Sequence, residues 1–335
     1  MNAFTGTGIP AAPADPARAA TDRGGLTHQA LLYRSDRDFA AAAVPFLRDG
    51  RLAGDVLVVI ASAAARCLLR EQLGAADAAR IEFIDRAEWF RGPMQALASY
   101  HDRARGDWWP RGRLRLLAEP VWTGRTPLET CEWKRHEAVL NVAFAGTPTA
   151  LMCAYDATAL PGHVLFDAAR THPELVDGDG VRQSGSFTDP AAFYAECNGR
   201  PLPRPPDTAA RRGFAGGELP GLRSFLMAEA ARHGLARDRT LPFVLAANEV
   251  ATHVIRHGGG EGVLWVWAED GELVCDVDDP KGELEDRFLG YAPPRSDRSG
   301  DGAMWAVRRL CHIVEIRSGA GGSSIRLHQR LGDDG

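Results

Sequence analysis

An acidic residue and a histidine stand one helical turn apart in the C-terminal half of the sequence. Glu249 and His253 are separated by four positions, so on an α-helix both side chains project from the same face. A carboxylate there could act as a general base, and with the second side chain it could hold Mg²⁺ against a phosphate. His257 extends the stripe by one more turn, and the three residues could alternatively bind a transition metal.

Three further motifs follow this helix along the chain. They are Asp279-Pro-Lys281-Gly282, then Gly300-Asp-Gly302-Ala303, then Gly321-Gly-Ser-Ser324. The backbone N–H groups of a glycine-rich loop that leads into a helix can cradle phosphate. The order of motifs over residues 212–332 resembles the GHKL ATPase family, and specifically the anti-sigma-factor serine kinases of the RsbW type.

This resemblance assigns a role to each motif. Glu249 would be the catalytic residue that activates the attacking hydroxyl or water, and Asp279 would accept a hydrogen bond from the adenine amino group. The implied cofactors are ATP and Mg²⁺, with Mg²⁺ at Glu249 and His253. The implied ATP and Mg²⁺ ligands are Asn248, His253, Asp279, Gly282, Gly300, Gly302, Ala303 and Ser324.

Three positions depart from the family pattern. His253 stands in place of asparagine, Lys281 in place of a glycine, and Ala303 in place of the last glycine of the lid. A neutral imidazole is a poor substitute for an amide at an oxygen-preferring Mg²⁺ site. Three functions therefore stay open: a serine/threonine kinase, a degenerate module that captures its partner without nucleotide, and a small-molecule receptor whose C-terminal half only dimerises.

Strand-like and helix-like segments alternate in the N-terminal half. The apolar runs at 28–33, 55–60, 81–85, 114–118 and 150–155 are typical of strands, and the segments 63–73 and 129–144 are typical of helices. Such alternation predicts a doubly wound, mostly parallel sheet. No GxxxxGK[ST] motif occurs, which argues against nucleotide hydrolysis in this half.

The polar motifs of this half resemble the MEDS sensory domain, whose core is RecA/KaiC-like and lacks a P-loop. They include Glu119-Pro-Val-Trp122, Arg135-His-Glu137 and Cys153-Ala-Tyr155-Asp156. The resemblance implies a small-molecule signal, and polar residues at strand ends are the expected lining of its pocket. Each of them could instead serve only the fold. The candidates are His28, Tyr33, Glu119, Trp122, Arg125, His136, Glu137, Tyr155 and Asp156.

Composition divides the chain into four segments. Residues 1–24 read as a disordered tail, 25–176 as the MEDS-like α/β domain and 177–211 as a Gly/Pro/Asp-rich linker. Residues 212–332 are predicted to form an α+β sandwich of the GHKL (Bergerat) type, with helices on an antiparallel sheet.

The bulk properties limit the partners. A net charge of -5 argues against direct binding to nucleic acid or a membrane surface, and no apolar run is long enough for a membrane span. The six cysteines form no CxxC pair, which indicates buried thiols in a reducing cytoplasm. We therefore expect a cytoplasmic regulator that responds to a small molecule and binds a sigma factor or an anti-sigma-factor antagonist. A homodimer stays open.

Overall fold

Two separate β-sheets organise the chain, one in each half. The structure, a computed structural model, describes residues 25–282, 284, 288–293, 301–319 and 321–332. The predicted tail and the predicted lid residue Gly300 lie outside the described residues. Within the described ranges, none of the helices combines the length and the apolar character that a membrane crossing requires.

The first sheet has seven strands. They are β1 Thr27–Tyr33, β2 Val56–Ala61, β3 Ile81–Asp85, β4 Leu114–Ala118, β5 Thr149–Asp156, β6 Glu174–Asp177 and β7 Gly180–Gln183. Their order across the sheet is β3-β2-β4-β5-β1-β6-β7, and every neighbouring pair is parallel except β6 with β7. The predicted mostly parallel α/β sheet is confirmed. Strand β2 is buried along almost its whole length, as expected for a parallel strand that is covered on both faces.

Helices connect and cover these strands. They are α1 Asp36–Ala53, α2 Ala63–Leu73, α3 Ala75–Ala78, α4 Arg86–Trp89, α5 Pro93–Arg103, α6 Trp109–Arg111, α7 Pro127–Ala143, α8 Gly162–Thr171 and α9 Pro190–Cys197. Helix α7 begins with a capping box. The Thr126 hydroxyl accepts from Glu129 N at 3.2 Å, while Glu129 Oε2 accepts from Thr126 N at 2.8 Å. This cap fixes the start of the helix that carries His136 and Glu137.

The predicted linker, residues 177–211, is largely structured. Strand β7 extends the first sheet, and α9 packs against α7 and α8. Asp189 caps α9 by accepting from Ala191 N and Ala192 N, both at 3.0 Å. The glycine and proline content concealed these elements, because proline is also favoured in the first turn of a helix. Residues 198–209 form neither helix nor strand.

The second sheet is antiparallel, and helices cover one of its faces. Its strands are β8 Ala210–Ala215, β9 Glu261–Glu269, β10 Glu272–Asp279, β11 Ile313–Gly319 and β12 Gly322–Arg330, in the order β11-β12-β10-β9-β8. The helices are α10 Leu219–Arg232, α11 Arg237–His257 and α12 Asp301–Leu310. Leu264, Cys275 and Leu327 join the helices in one core. The GHKL assignment itself stays a prediction.

The opposite face of the second sheet carries buried polar residues beside apolar ones such as Trp267 and Val274, and it turns towards the first half of the chain. Asp276, Arg326 and His328 are buried there, although all three are polar. Two aromatic residues that lie beside the second sheet also join the core of the first half. Tyr291 and Trp305 pack into that core, and the rings of Trp305 and His101 lie 5.6 Å apart. The two halves therefore share an interface with an ionic part and an aromatic part.

Candidate functional site

Helix α11 presents Glu249 and His253 half-buried, one turn apart. The His253 ring lies 5.2 Å from the His257 ring, measured between centroids. Burial and the neighbouring His257 lower the pKa of His253, although Asp279 opposes the shift. The imidazole of His253 is therefore neutral at physiological pH, and it can donate a nitrogen lone pair but no carboxamide oxygen.

Asp279 ends β10 with its carboxylate enclosed by backbone. Its Oδ1 accepts from the N–H groups of Gly259 (3.1 Å), Lys281 (3.1 Å) and Gly282 (2.8 Å). A methyl group added at Gly258 or Gly282 would come within 1.9 Å of Asp279 Oδ2. We call Gly258, Gly259 and Gly282 the glycine cradle of Asp279, because only residues without a side chain fit around this carboxylate.

The second oxygen of Asp279 is less occupied than the first. Oδ2 accepts only a shared hydrogen bond from Gly259 N, at 3.0 Å, among the bonds that the described residues make. A carboxylate oxygen has lone pairs for two acceptor bonds, so Oδ2 can take one more donor. The exocyclic amino group of adenine is such a donor, and the motif assigns to Asp279 the role of accepting its hydrogen bond. Gly282 shapes the cradle and donates its N–H to Asp279.

Two of the predicted nucleotide contacts point elsewhere. Asn248 Oδ1 accepts from Arg223 Nη1 of α10 at 3.0 Å. The Ser324 hydroxyl donates to Asp276 Oδ1 at 2.7 Å, on the polar face of the sheet. Successive strand residues alternate between faces, so Ser323, which pairs with Asp279 across the strands, lies on the helix side in place of Ser324.

Gly302 and Ala303 lie in the first turn of α12. Ala303 is not among the described residues with positive φ, so the replacement of glycine causes no backbone strain there. The replacement of the family's glycine by Ala303 is therefore compatible with the predicted lid. Gly300, the other lid glycine, lies outside the described residues.

In the N-terminal half, three candidates meet where the parallel strands end. Glu119 accepts from Ser62 N at 2.7 Å and from Arg86 Nη1 at 2.5 Å. Burial, reinforced by the charges of Glu119 and Asp156, raises the pKa of Tyr33 to about 12. Asp156 accepts from the backbone N–H of Thr158 at 2.8 Å and from its hydroxyl at 2.6 Å. The carboxylates of Glu119 and Asp156 therefore accept hydrogen bonds from groups that follow the ends of the strands.

Trp122 and Arg125 line a groove of about 570 Å³ beside α7, α8 and α9. Arg125 is held in place because it donates to Val121 O at 2.5 Å and to Phe90 O at 3.0 Å, and it lies 4.3 Å above the Trp133 ring. The groove is large enough for a small organic ligand. Its other lining residues include Cys131, Lys134, His163, Asp167, Phe193 and Cys197.

A second polar group is enclosed in the core of this half. His28, Glu137, Cys153 and His172 are all buried, and each offers a nitrogen, oxygen or sulfur atom within 4.8 Å of the others. Glu137 Oε2 lies 3.5 Å from His172 Nε2 and 3.9 Å from His28 Nε2. His28 Nε2 lies 3.7 Å from Cys153 Sγ. We call these four residues the buried quartet.

Burial favours the neutral form of every member of the quartet. It raises the pKa of Glu137 to about 8 and lowers the pKa of His28 to about 4. Tyr155 stands beside the quartet, with its ring 5.6 Å from the His172 ring. His136 is separate, since its ring packs 5.1 Å from the Trp133 ring, and burial lowers its pKa to about 3.

The sequence prediction included His28 and Glu137 but missed Cys153 and His172 as partners. Their convergence depends on the strand order β5-β1-β6, which brings together residues far apart in the chain. In the described part of the chain, the quartet is the group that offers three or more metal-ligand atoms together, and the stripe of Glu249, His253 and His257 does not.

Comparison with known proteins bears mainly on the N-terminal half. No curated protein sequence matches this chain. Among solved structures, the RsbU and RsbW domains of a Mycobacterium tuberculosis protein resemble it, with 17% identity and a TM-score of 0.27. That likeness covers 36% of this chain and 32% of the other, so the chain spans about a third of its neighbour. A likeness of this extent does not establish a shared fold.

The family comparison is more specific. Residues 27–173 match the model of the MEDS family, described as the methanogen/methylotroph, DcmR sensory domain. The matched range begins with β1 and ends just before β6. It contains the strand-end residues and the whole buried quartet. Residues 27–173 of this chain are therefore a MEDS domain, a sensory module by its family's description.

Proposed function

We propose that the protein is a signal-responsive regulator. In this proposal the MEDS domain receives a small-molecule signal, and the C-terminal half binds a sigma factor or an anti-sigma-factor antagonist. The observation that carries the proposal is the physical connection between the two halves through α7. The motif order of residues 212–332 supports the class of partner.

The connection begins at Glu129 in the first turn of α7. Its Oε1 accepts from His312 Nε2 at 3.0 Å and also pairs with Arg330 at the end of β12. Burial alone would raise the pKa of Glu129. The hydrogen bonds from Thr126, Arg330 and His312 outweigh it and lower that pKa to about 2. Glu129 is therefore ionised at physiological pH and holds α7 against the second sheet.

Further charged groups lie on the same face of the second sheet. His328 lies between Glu272, at 2.9 Å, and Glu315, at 3.2 Å. Burial acts to lower the pKa of His328, but the two carboxylates outweigh it and raise the pKa to about 9. Arg326 pairs with Asp276 and donates to Pro203 O, both at 2.6 Å.

Helix α7 also lines the groove of the MEDS domain. Thr130, Cys131 and Lys134 face the groove, and Glu129 precedes them by one to five residues. If a ligand in the groove binds one position of α7 more tightly than another, it favours that position. The free energy available to change the contact at Glu129 is then the difference in binding free energy between the two positions. In this proposal the small molecule binds in the groove, and the second sheet responds to its binding.

The part played by nucleotide has two candidate forms. If the C-terminal half is a kinase, Glu249 assists transfer of the ATP γ-phosphate to a serine or threonine of the antagonist, while Mg²⁺ neutralises the phosphate charge. The unused acceptor capacity of Asp279 Oδ2 favours adenine binding. The neutral His253 and the engaged Asn248 favour instead a module that captures its partner without phosphoryl transfer.

The experiment measures binding of the full-length chain to purified sigma factors and anti-sigma-factor antagonists from the same organism. We expect one of them to bind, and we expect Glu129→Gln to change the affinity although Glu129 lies on the MEDS side of the interface. Binding to neither class would contradict the proposal. Radiolabelled ATP with the bound antagonist, for wild type and Glu249→Gln, separates a kinase from a capture module.

A further inference from the structure

The buried quartet has the composition of a transition-metal site. Two imidazoles, one carboxylate and one thiol are the ligand types that bind Zn²⁺ and its first-row neighbours, whereas Mg²⁺ and Ca²⁺ prefer oxygen alone. All four residues come from different elements: His28 from β1, Glu137 from α7, Cys153 from β5, and His172 from the residue after α8. The fold therefore builds the group in three dimensions.

The spacing of the ligand atoms fits a tetrahedral ion. Metal–nitrogen bonds of about 2.0–2.1 Å and a metal–sulfur bond of about 2.3 Å place neighbouring ligand atoms roughly 3.3–3.6 Å apart. The separations of 3.5 Å, 3.7 Å and 3.9 Å in the quartet lie close to these values. Small side-chain movements would close the difference.

The two histidines are oriented as metal-bound histidines are. His28 Nδ1 lies 3.0 Å from Asn141 Oδ1, and His172 Nδ1 lies 2.8 Å from the carbonyl of Ala168. The amide group of Asn141 donates to Thr171 O at 2.8 Å, which leaves its oxygen to accept from His28. Both Nδ1 atoms thus carry the proton, and both Nε2 lone pairs point into the quartet, the arrangement that outer hydrogen bonds impose on metal-bound histidines.

Two polar atoms of the quartet have no other hydrogen-bond partner. Glu137 Oε2 and His172 Nε2 are buried with no partner at hydrogen-bond geometry, as is the Tyr155 hydroxyl, and Cys153 and Tyr155 interact with Glu137 so as to oppose the rise in its pKa. Leaving such atoms unpaired in a protein interior is costly, and a bound ion would satisfy the two quartet atoms. The charges also balance, because one carboxylate, one thiolate and two neutral imidazoles neutralise a divalent cation. On binding, the Cys153 thiol and any protonated Glu137 release their protons to solvent.

We infer that His28, Glu137, Cys153 and His172 bind one divalent transition-metal ion of the Zn²⁺ class in the core of the MEDS domain. This site is independent of the proposed regulatory partner and of the nucleotide motifs. The competing arrangement is a metal-free core in which a protonated Glu137 donates a hydrogen bond within the group.

The first test uses the unaltered full-length chain. After chelator treatment and buffer exchange, Zn²⁺ is titrated back, and bound metal is measured by elemental analysis. We expect one equivalent of Zn²⁺ per chain and an increase in melting temperature. Stoichiometric Co²⁺ should bind with a tetrahedral visible spectrum and a thiolate-to-cobalt charge-transfer band. A refolded, metal-free chain that takes up neither ion stoichiometrically would overturn the inference in favour of the protonated core.

Variants then locate the ion. Cys153→Ala should lose the charge-transfer band, and His172→Gln should lower the affinity for Zn²⁺ at least tenfold. The matched control is Cys275→Ala, because Cys275 is equally buried but lies in the second sheet. It should keep both the stoichiometry and the band. Circular dichroism of each variant confirms folding, and an unchanged band in Cys153→Ala would contradict the site.

Discussion

Glu129 Oε1 and His312 Nε2 are joined by a hydrogen bond of 3.0 Å that links the cap of α7 to the second sheet. The other oxygen of the same carboxylate closes the capping box with Thr126. One side chain therefore both starts a helix of the sensory domain and holds the neighbouring domain. Changes at this residue should affect stability and the communication between the halves together.

Glu129→Gln should lower the free energy of unfolding by about 1–3 kcal/mol, since it removes a buried charge that accepts from several donors. Urea denaturation of the full chain measures the change. Glu196→Gln is the control, because Glu196 pairs with Arg170 at an exposed site, where an ion pair contributes at most about 1 kcal/mol. Equal small effects in both variants would show that Glu129 does not hold the interface.

The raised pKa of His328 predicts a loss of stability in mildly alkaline solution. The folded state binds this proton more tightly than the unfolded state, whose pKa is near 6.5. The stabilisation is therefore complete below pH 6.5 and is lost as the pH rises to about 9. Thermal melts across this range should show the wild type losing its advantage over His328→Gln. A constant difference between the two would contradict the assignment.

Replacing His253 with asparagine should restore an oxygen ligand for Mg²⁺. We expect His253→Asn to bind Mg²⁺–ATP about tenfold more tightly than the wild type, a gain of about 1.4 kcal/mol. Calorimetric titration measures both proteins. Ser324→Ala should behave as the wild type, because its hydroxyl bonds to Asp276 on the other face. No heat from the wild type, where His253→Asn binds, would exclude the kinase.

The glycine cradle should tolerate no side chain. Gly282→Ala places a methyl group against Asp279 Oδ2, and overpacking of this kind costs about 1–3 kcal/mol. Gly216→Ala is the matched control, since its added methyl group meets nothing within 4 Å. Denaturation midpoints of the two variants should differ clearly. If Gly282→Ala is as stable as Gly216→Ala, the carboxylate is free to move and the cradle is not rigid.

Much of the fold could be predicted from local patterns. The continuous apolar run of β2 and the helix that ends before Gly74 follow from periodicity alone, and the structure has both. Helix α9 was not predicted, because Pro190 and the flanking glycines are as typical of a linker as of a helix start. Its capping by Asp189 and its packing on α7 become visible only in three dimensions.

The candidate sites were harder to predict than the elements. The predicted residue Ser324 lies on the polar face and its neighbour Ser323 on the helix side, because in a strand a shift of one residue moves a side chain to the opposite face. The quartet could not be assembled from spacing, since His28 and His172 meet only after β1 has taken its place between β5 and β6. Spacing along the chain therefore gives no sign of this group.

The second sheet has two chemically different faces, and this has a consequence for how the halves could part. Its helix side is apolar, so exposing it to water would be costly. Its other side carries charges and hydrogen-bonding groups that water can solvate in place of their present partners. Separation at this surface would hydrate these groups, but it would also withdraw Tyr291 and Trp305 from the core of the first half. The interface is therefore held by apolar contacts as well as by ions, and opening it would cost hydrophobic burial in addition to ion pairs.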